Sequence, residues 1–93
     1  MARKITVAVK EVGKVMRMEK IYPDDLEGIG AIIGGWVEMV PFDDFYVLCD
    51  EDGRLKNLPY NCTVDGVPFV GTIVVAGRTK GGKLGSVKKA LGK

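Results

Sequence analysis

Ile29-Gly-Ala-Ile-Ile-Gly-Gly-Trp-Val-Glu-Met-Val40 is the stretch that decides how this chain folds. It reads as the end of an apolar helix, a diglycine stop at Gly34-Gly35, and a strand opening with the only tryptophan, Trp36. Leu26, Ile29 and Ile33 fall at offsets of zero, three and seven on one helical face, with Ile32 beside them. Just upstream, Pro23 suits a first helical turn because its missing N–H would be unpaired there, and Asp24, Asp25 and Glu27 suit the positive end of the helix dipole. The helix is therefore placed at residues 23–34. Gly28 and Gly30 weaken it by about 1 kcal/mol each relative to alanine, a cost that close packing onto a sheet would offset. Gly34-Gly35 ends it as a left-handed cap.

Outward from this stretch the periodicity changes to two. Ile5, Val7 and Val9 alternate with polar neighbours across residues 4–10, and residues 15–21 resume alternation with Arg17 and Glu19 outward. Glu11-Val-Gly-Lys14 joins them as a short turn, with Gly13 free to take positive φ, so an antiparallel hairpin precedes the helix. After the helix, Trp36-Val-Glu-Met-Val40 is closed by Pro41, with Trp36, Glu38 and Val40 on one face and Val37 and Met39 on the other. Phe42-Asp-Asp44 turns the chain, and Phe45-Tyr-Val-Leu-Cys49 is too apolar for an exposed edge, which places it inside the sheet. Asp50-Glu-Asp-Gly53 reads as a solvated turn. Residues 54–61 read as irregular, with Leu55, Leu58 and Tyr60 folding under the sheet. Residues 63–68 form another turn, and residues 69–77 are one long strand rich in β-branched side chains, in which Gly71 marks a bulge or a close backbone approach. The expectation is an α+β domain over residues 1–77: an antiparallel sheet of about five strands, the later ones pairing onto Trp36–Val40, with the helix on one face. Residues 78–93 are expected as an irregular basic tail, in which residues 86–91 could form a helical turn or two capped by Ser86.

Composition excludes more chemistry than it suggests. A chain of 93 residues supports one domain with a modest core and a large exposed surface, so assembly into a homo-oligomer is open to it. No apolar run approaches the roughly 20 residues of a membrane span, and the amino terminus leads into an alternating strand, not a secretory leader; the expected location is the cytoplasm. Cys49 and Cys62 are the only cysteines and there is no histidine, so a four-ligand zinc site is not available and the commonest general base is missing. Both cysteines read as reduced, partly buried thiols. No cofactor and no metal are expected. Residues 1–77 carry eight basic against twelve acidic side chains, net −4, whereas residues 78–93 carry six basic side chains and no acid, net +6.

Three motifs imitate ligand sites. Gly28-Ile-Gly30 lacks the third glycine or alanine of a dinucleotide loop, having Ile33 there, and Asp24-Asp25 would repel a pyrophosphate. The acids of residues 50–52 lack the ligand spacing of an EF-hand loop. Gly81-Gly-Lys83 is not followed by the serine or threonine of a phosphate loop.

Four segments, taken together, carry a family resemblance: Gly34-Gly-Trp-Val-Glu38, Asp50-Glu-Asp-Gly-Arg-Leu55, Asn57-Leu-Pro-Tyr-Asn61 and Gly71-Thr-Ile-Val-Val-Ala-Gly77. In this order they resemble the family catalogued as domain of unknown function 3846, over residues 29–77. The resemblance implies a small single-domain protein of the kind carried by phages, plasmids and gut bacteria, with no catalytic signature. Two departures are visible: Asp50 stands where the family commonly has asparagine, and the basic glycine-rich tail replaces an acidic C-terminal helix.

Two functional classes follow. One is a non-enzymatic accessory protein of a phage or mobile element that binds and neutralises a host protein or a small host-made signal, a host-defence inhibitor for example. Polar groups on irregular backbone are the better binding candidates, which selects Asn57, Tyr60 and Asn61, with Trp36 and Glu38 across the sheet. The competing reading of the two asparagines is that they satisfy turn backbone. The other class is a nucleic-acid-binding module in which Arg78, Lys80, Lys83, Lys88, Lys89 and Lys93 contact phosphates. The acidic body limits that contact to weak, salt-sensitive binding, and a tail with no role beyond solubility is the remaining alternative.

Overall fold

The two halves of the chain meet through their last long strand. In the computed structural model, which describes residues 3–87, β1 (Ile5–Lys10) and β2 (Arg17–Ile21) form the expected hairpin, and α1 (Leu26–Ile33) leads to a second hairpin of β3 (Val37–Pro41) and β4 (Phe45–Asp50). A third hairpin, β5 (Tyr60–Val64) and β6 (Val67–Val70), lies outside the main sheet. β7 (Ile73–Arg78) then inserts between β1 and β4, giving the order β2-β1-β7-β4-β3, and β8 (Leu84–Gly85) pairs with the end of β7. Every pairing is antiparallel. The α+β class therefore holds, with, among the described residues, a main sheet of six strands instead of about five and eight strands in all.

Three local expectations change. The helix begins later than Pro23, because Asp25 is its N-cap: the Asp25 carboxylate accepts from the Gly28 N–H at 3.0 Å. Gly28 leaves room for that carboxylate and so serves the cap instead of the sheet, whereas a Cβ on Gly30 would lie 2.9 Å from the Gly35 carbonyl oxygen and 3.9 Å from Val37 Cγ2 of the sheet. The second change concerns residues 63–77. Asp65 (φ 47°) and Gly66 (φ 82°) both take positive φ, as a tight two-residue hairpin turn demands, and split off β6. Gly71, at φ 72°, breaks the long strand in two; a Cβ there would lie 2.7 Å from Leu58 Cδ1, the close approach that glycine at this position foretold. Consequently only β4 pairs with β3, and β7 pairs elsewhere.

The third change is the carboxyl end. The boundary expected at Gly77 falls inside β7, and residues 79–87 return along the sheet instead of leaving it as an irregular tail. Tyr46 donates its hydroxyl to the Gly82 carbonyl, the Thr6 N–H donates to Ser86 Oγ at 2.9 Å, and the Val87 N–H donates to the Thr6 carbonyl at 2.8 Å. The helical turn expected over residues 86–91 lies mostly outside the described residues.

Two cores result, one on each side of the sheet. Ile29 and Ile33 of α1 pack with Val7, Val9, Tyr46, Leu48, Val74 and Ala76, and Leu84 joins them. On the opposite face the β5–β6 hairpin supplies Phe69, Cys62 and Val64 against Ala8, Val47, Cys49, Ile73 and Val75, with Val87 at the border. Successive residues of β4 and β7 thus enter different cores, which is why those strands are continuously apolar. Leu55 and Tyr60, expected under the sheet, are instead exposed, and Leu58 alone of the three packs inward. Among the described residues no helix is long and apolar enough to cross a membrane.

Candidate functional site

The α1–β3 corner is built by backbone before any side chain is placed. Gly34 caps the helix at φ 94°, and the N–H groups of Gly34 and Gly35 both reach the Gly30 carbonyl, at 2.6 and 3.1 Å. This turns the chain sharply into Trp36, whose carbonyl accepts from the Glu51 N–H at 2.8 Å. Beneath the corner lies Asp50, the one buried charged side chain among the described residues. Its Oδ1 accepts from the Asp52 N–H at 2.8 Å and its Oδ2 from Lys56 Nζ at 2.7 Å; the same ammonium donates to the Gly34 carbonyl at 3.3 Å. A Cβ on Gly35 would lie 2.6 Å from Asp50 Oδ2, so the second glycine of the pair is what lets this carboxylate approach. The Lys56 hydrogen bond outweighs burial and holds the Asp50 carboxyl below the usual carboxylate range. The turn at residues 50–53 is therefore an anchored ion-pair clamp, not a merely solvated reversal.

With its backbone fixed, the Trp36 side chain has no core to enter and is 79% exposed. It forms one wall of a groove of about 640 Å³ between α1 and residues 52–56, lined also by Leu26, Glu27, Gly30, Val37, Asp52 and Lys56. Leu26 is more than half exposed here, having been expected on the buried face of the helix. Neither Glu27 nor Asp52 has a hydrogen-bond or ion-pair partner for its carboxylate among the described residues.

The five residues proposed for binding do not converge. Trp36 lines the groove, whereas Glu38 faces the other side of the sheet, in a smaller cleft of about 240 Å³ with Cys49, Arg54 and Phe69. Asn57 is an exposed turn residue at φ 56°. Tyr60 is exposed and its hydroxyl meets Thr63 Oγ1 at 2.7 Å. Asn61 is a structural bridge: its Nδ2 donates to the carbonyls of Lys10 at 2.8 Å and Gly71 at 2.7 Å, and its Oδ1 accepts from Lys10 Nζ. Buried Cys49 is also unsuited to nucleophilic work, since burial, aided by the Glu38 and Asp50 charges, pushes its thiol up to about 11. Sequence reasoning missed Leu26, Glu27, Asp52 and Lys56; the available signal was an Asp-Gly reversal that returns Lys56 toward Asp50.

The basic residues divide as well. Arg78 donates to the Phe42 carbonyl at 2.8 Å and lies over the Tyr46 ring, 5.4 Å from its centroid. Lys80 and Lys83 are exposed on the loop between β7 and β8. Lys88, Lys89 and Lys93 lie outside the described residues. Among the described residues, no three His, Cys, Asp or Glu side chains are grouped to hold a metal ion.

No curated protein and no solved structure matches the chain. The family model described as Domain of unknown function (DUF3846) matches residues 5–92, nearly the whole chain and well beyond the motifs at residues 34–77. Two of those motifs, Gly34-Gly35-Trp36 and residues 50–55, are the segments that the Asp50 clamp brings together at the groove, and the chain belongs to the DUF3846 family.

Proposed function

We propose that this chain is a non-enzymatic binding protein, an accessory product of a phage or mobile element, that captures a small host-made molecule in the Trp36 groove within the bacterial cytoplasm. The observation that carries this reading is the exposed indole of Trp36 standing on a backbone corner clamped by Asp50 and Lys56. An aromatic wall on a clamped backbone, beside a concave space of about 640 Å³, suits a ligand of a few hundred daltons, since small-molecule sites commonly measure about 300–1,000 Å³. Sequestration, in which the bound molecule is withheld from its own receptor, requires no chemistry from the protein. A host protein docking on the same indole is the broader form of this reading.

The test uses the only tryptophan as its own reporter. The purified protein is melted with the small-molecule fraction of a bacterial extract and, separately, with its macromolecular fraction. The expected result is a rise in melting temperature and a change in Trp36 emission with the first fraction, and no rise for Trp36→Ala. A response confined to the macromolecular fraction would replace the small molecule with a host protein.

A second reading, nucleic-acid binding, draws support from Lys80 and Lys83, two exposed cations on one loop with no acidic partner among the described residues. It calls for weak binding that a gel-shift series abolishes at moderate salt and that Lys80→Gln with Lys83→Gln removes.

A further inference from the structure

The groove has a charge as well as a shape. Of its three ionisable lining residues, only Lys56 is cationic, and its ammonium is already engaged by the Asp50 carboxylate at 2.7 Å and the Gly34 carbonyl at 3.3 Å. The other two, Glu27 and Asp52, are carboxylates without a partner among the described residues. They come from different elements, Glu27 from the first turn of α1 and Asp52 from the turn after β4, and Trp36 belongs to the same lining. An aromatic face attracts a cation through its quadrupole, and nearby carboxylates add to that attraction. The same arrangement repels phosphates and carboxylates, because the cation that could have received them is neutralised from beneath.

Resting on the reading of this groove as a small-ligand site, we propose that its occupant is an organic cation: an amine or guanidinium carried on an apolar body. The body lies against Leu26 and Trp36, and the charged head lies between Glu27 and Asp52. The concavity favours a free small molecule over a charged side chain of a partner protein, which would need a broader flat contact around it.

Three probes sharing one phenyl body separate the charge from the apolar contact: 2-phenylethylammonium, 2-phenylethanol and phenylacetate, each titrated against full-length protein by Trp36 emission. The ammonium compound should bind about tenfold more tightly than the alcohol, and phenylacetate more weakly than either. Glu27→Gln with Asp52→Asn should remove this preference while leaving the affinity for the alcohol unchanged. Equal or tighter binding of the alcohol or phenylacetate overturns the cation and leaves the groove as a ligand site. No response to the ammonium compound up to its solubility limit also overturns the cation, and the extract experiment above then decides separately whether the groove binds anything. A charge preference that survives in the double variant removes Glu27 and Asp52 as its source.

Discussion

Asp50 illustrates how much a single side chain can depend on residues distant in sequence. Read locally, it opens an acidic turn; in the fold it is buried beneath Gly35 and pinned by Lys56 and the Asp52 N–H. Its carboxyl titrates below the usual range in the folded chain, and the sign of the consequence follows directly. A carboxylate with a depressed folded value contributes stability that is fully present above its unfolded pKa, about 4, and is lost as the pH falls through the folded value. Asp50→Asn should therefore cost about 1 kcal/mol at pH 7, a modest figure because Lys56 is 43% exposed. Thermal melts of both proteins from pH 7 to pH 3 check this: the gap should close in acid. A gap that stayed constant across that range would mean that the Asp50 charge does not hold the corner. Asn61 makes the complementary point. Its place on an irregular segment suggested a ligand, but both its N–H bonds are spent on backbone carbonyls of β1 and the Gly71 turn.

At the scale of elements, glycine conformation separates what was legible from what was not. Gly13 and Gly34 take the positive φ that their contexts announced, because turn and cap geometry is set by immediate neighbours, whereas Gly71, read as a bulge or a close approach, also takes it. The Asp65-Gly66 turn carried the same kind of signal, yet Pro68 and the long apolar run after it masked the short strand β6. Gly71 provides the test of how the break between β6 and β7 is held. Gly71→Ala meets both a left-handed backbone and Leu58 Cδ1 at 2.7 Å, whereas Gly13→Ala, at φ 75°, meets open space. The first should cost about 2–3 kcal/mol and the second about 1 kcal/mol. Urea denaturation of the two variants measures the difference, and equal costs would show that Leu58 gives way freely.

For the whole molecule, the return of residues 79–87 along the sheet matters most. Leu84 belongs to the helix-side core and Val87 to the hairpin-side core, while Ser86 and Val87 hold the start of β1. A chain ending at Gly77 would lose these contacts and the Gly82 acceptor for Tyr46. Its stability should fall by about 2–4 kcal/mol, from the apolar area uncovered. Calorimetry of the shortened and full chains gives the answer, and an unchanged melting temperature would show that the return is an ornament to the fold. The outcome also bears on nucleic-acid tests, since deleting the basic residues wholesale would confound loss of charge with loss of structure.

The sequence by itself determined the α+β class, the first two hairpins, the helix with its left-handed stop, and the membership of β4 in the sheet interior. These are features of residues close together in the chain, where alternation, capping and positive φ act over a few positions. Only the tertiary structure decided that β7 would lie between β1 and β4, that a helix and a hairpin would cover opposite faces of the sheet, and that residues 79–87 would return along it. It also decided that Trp36 faces solvent above a clamp made by Gly35, Asp50 and Lys56. The reason is physical: whether a side chain is covered, or a carboxylate finds its ammonium, depends on chain segments that arrive from elsewhere, and periodicity within one segment carries no information about them.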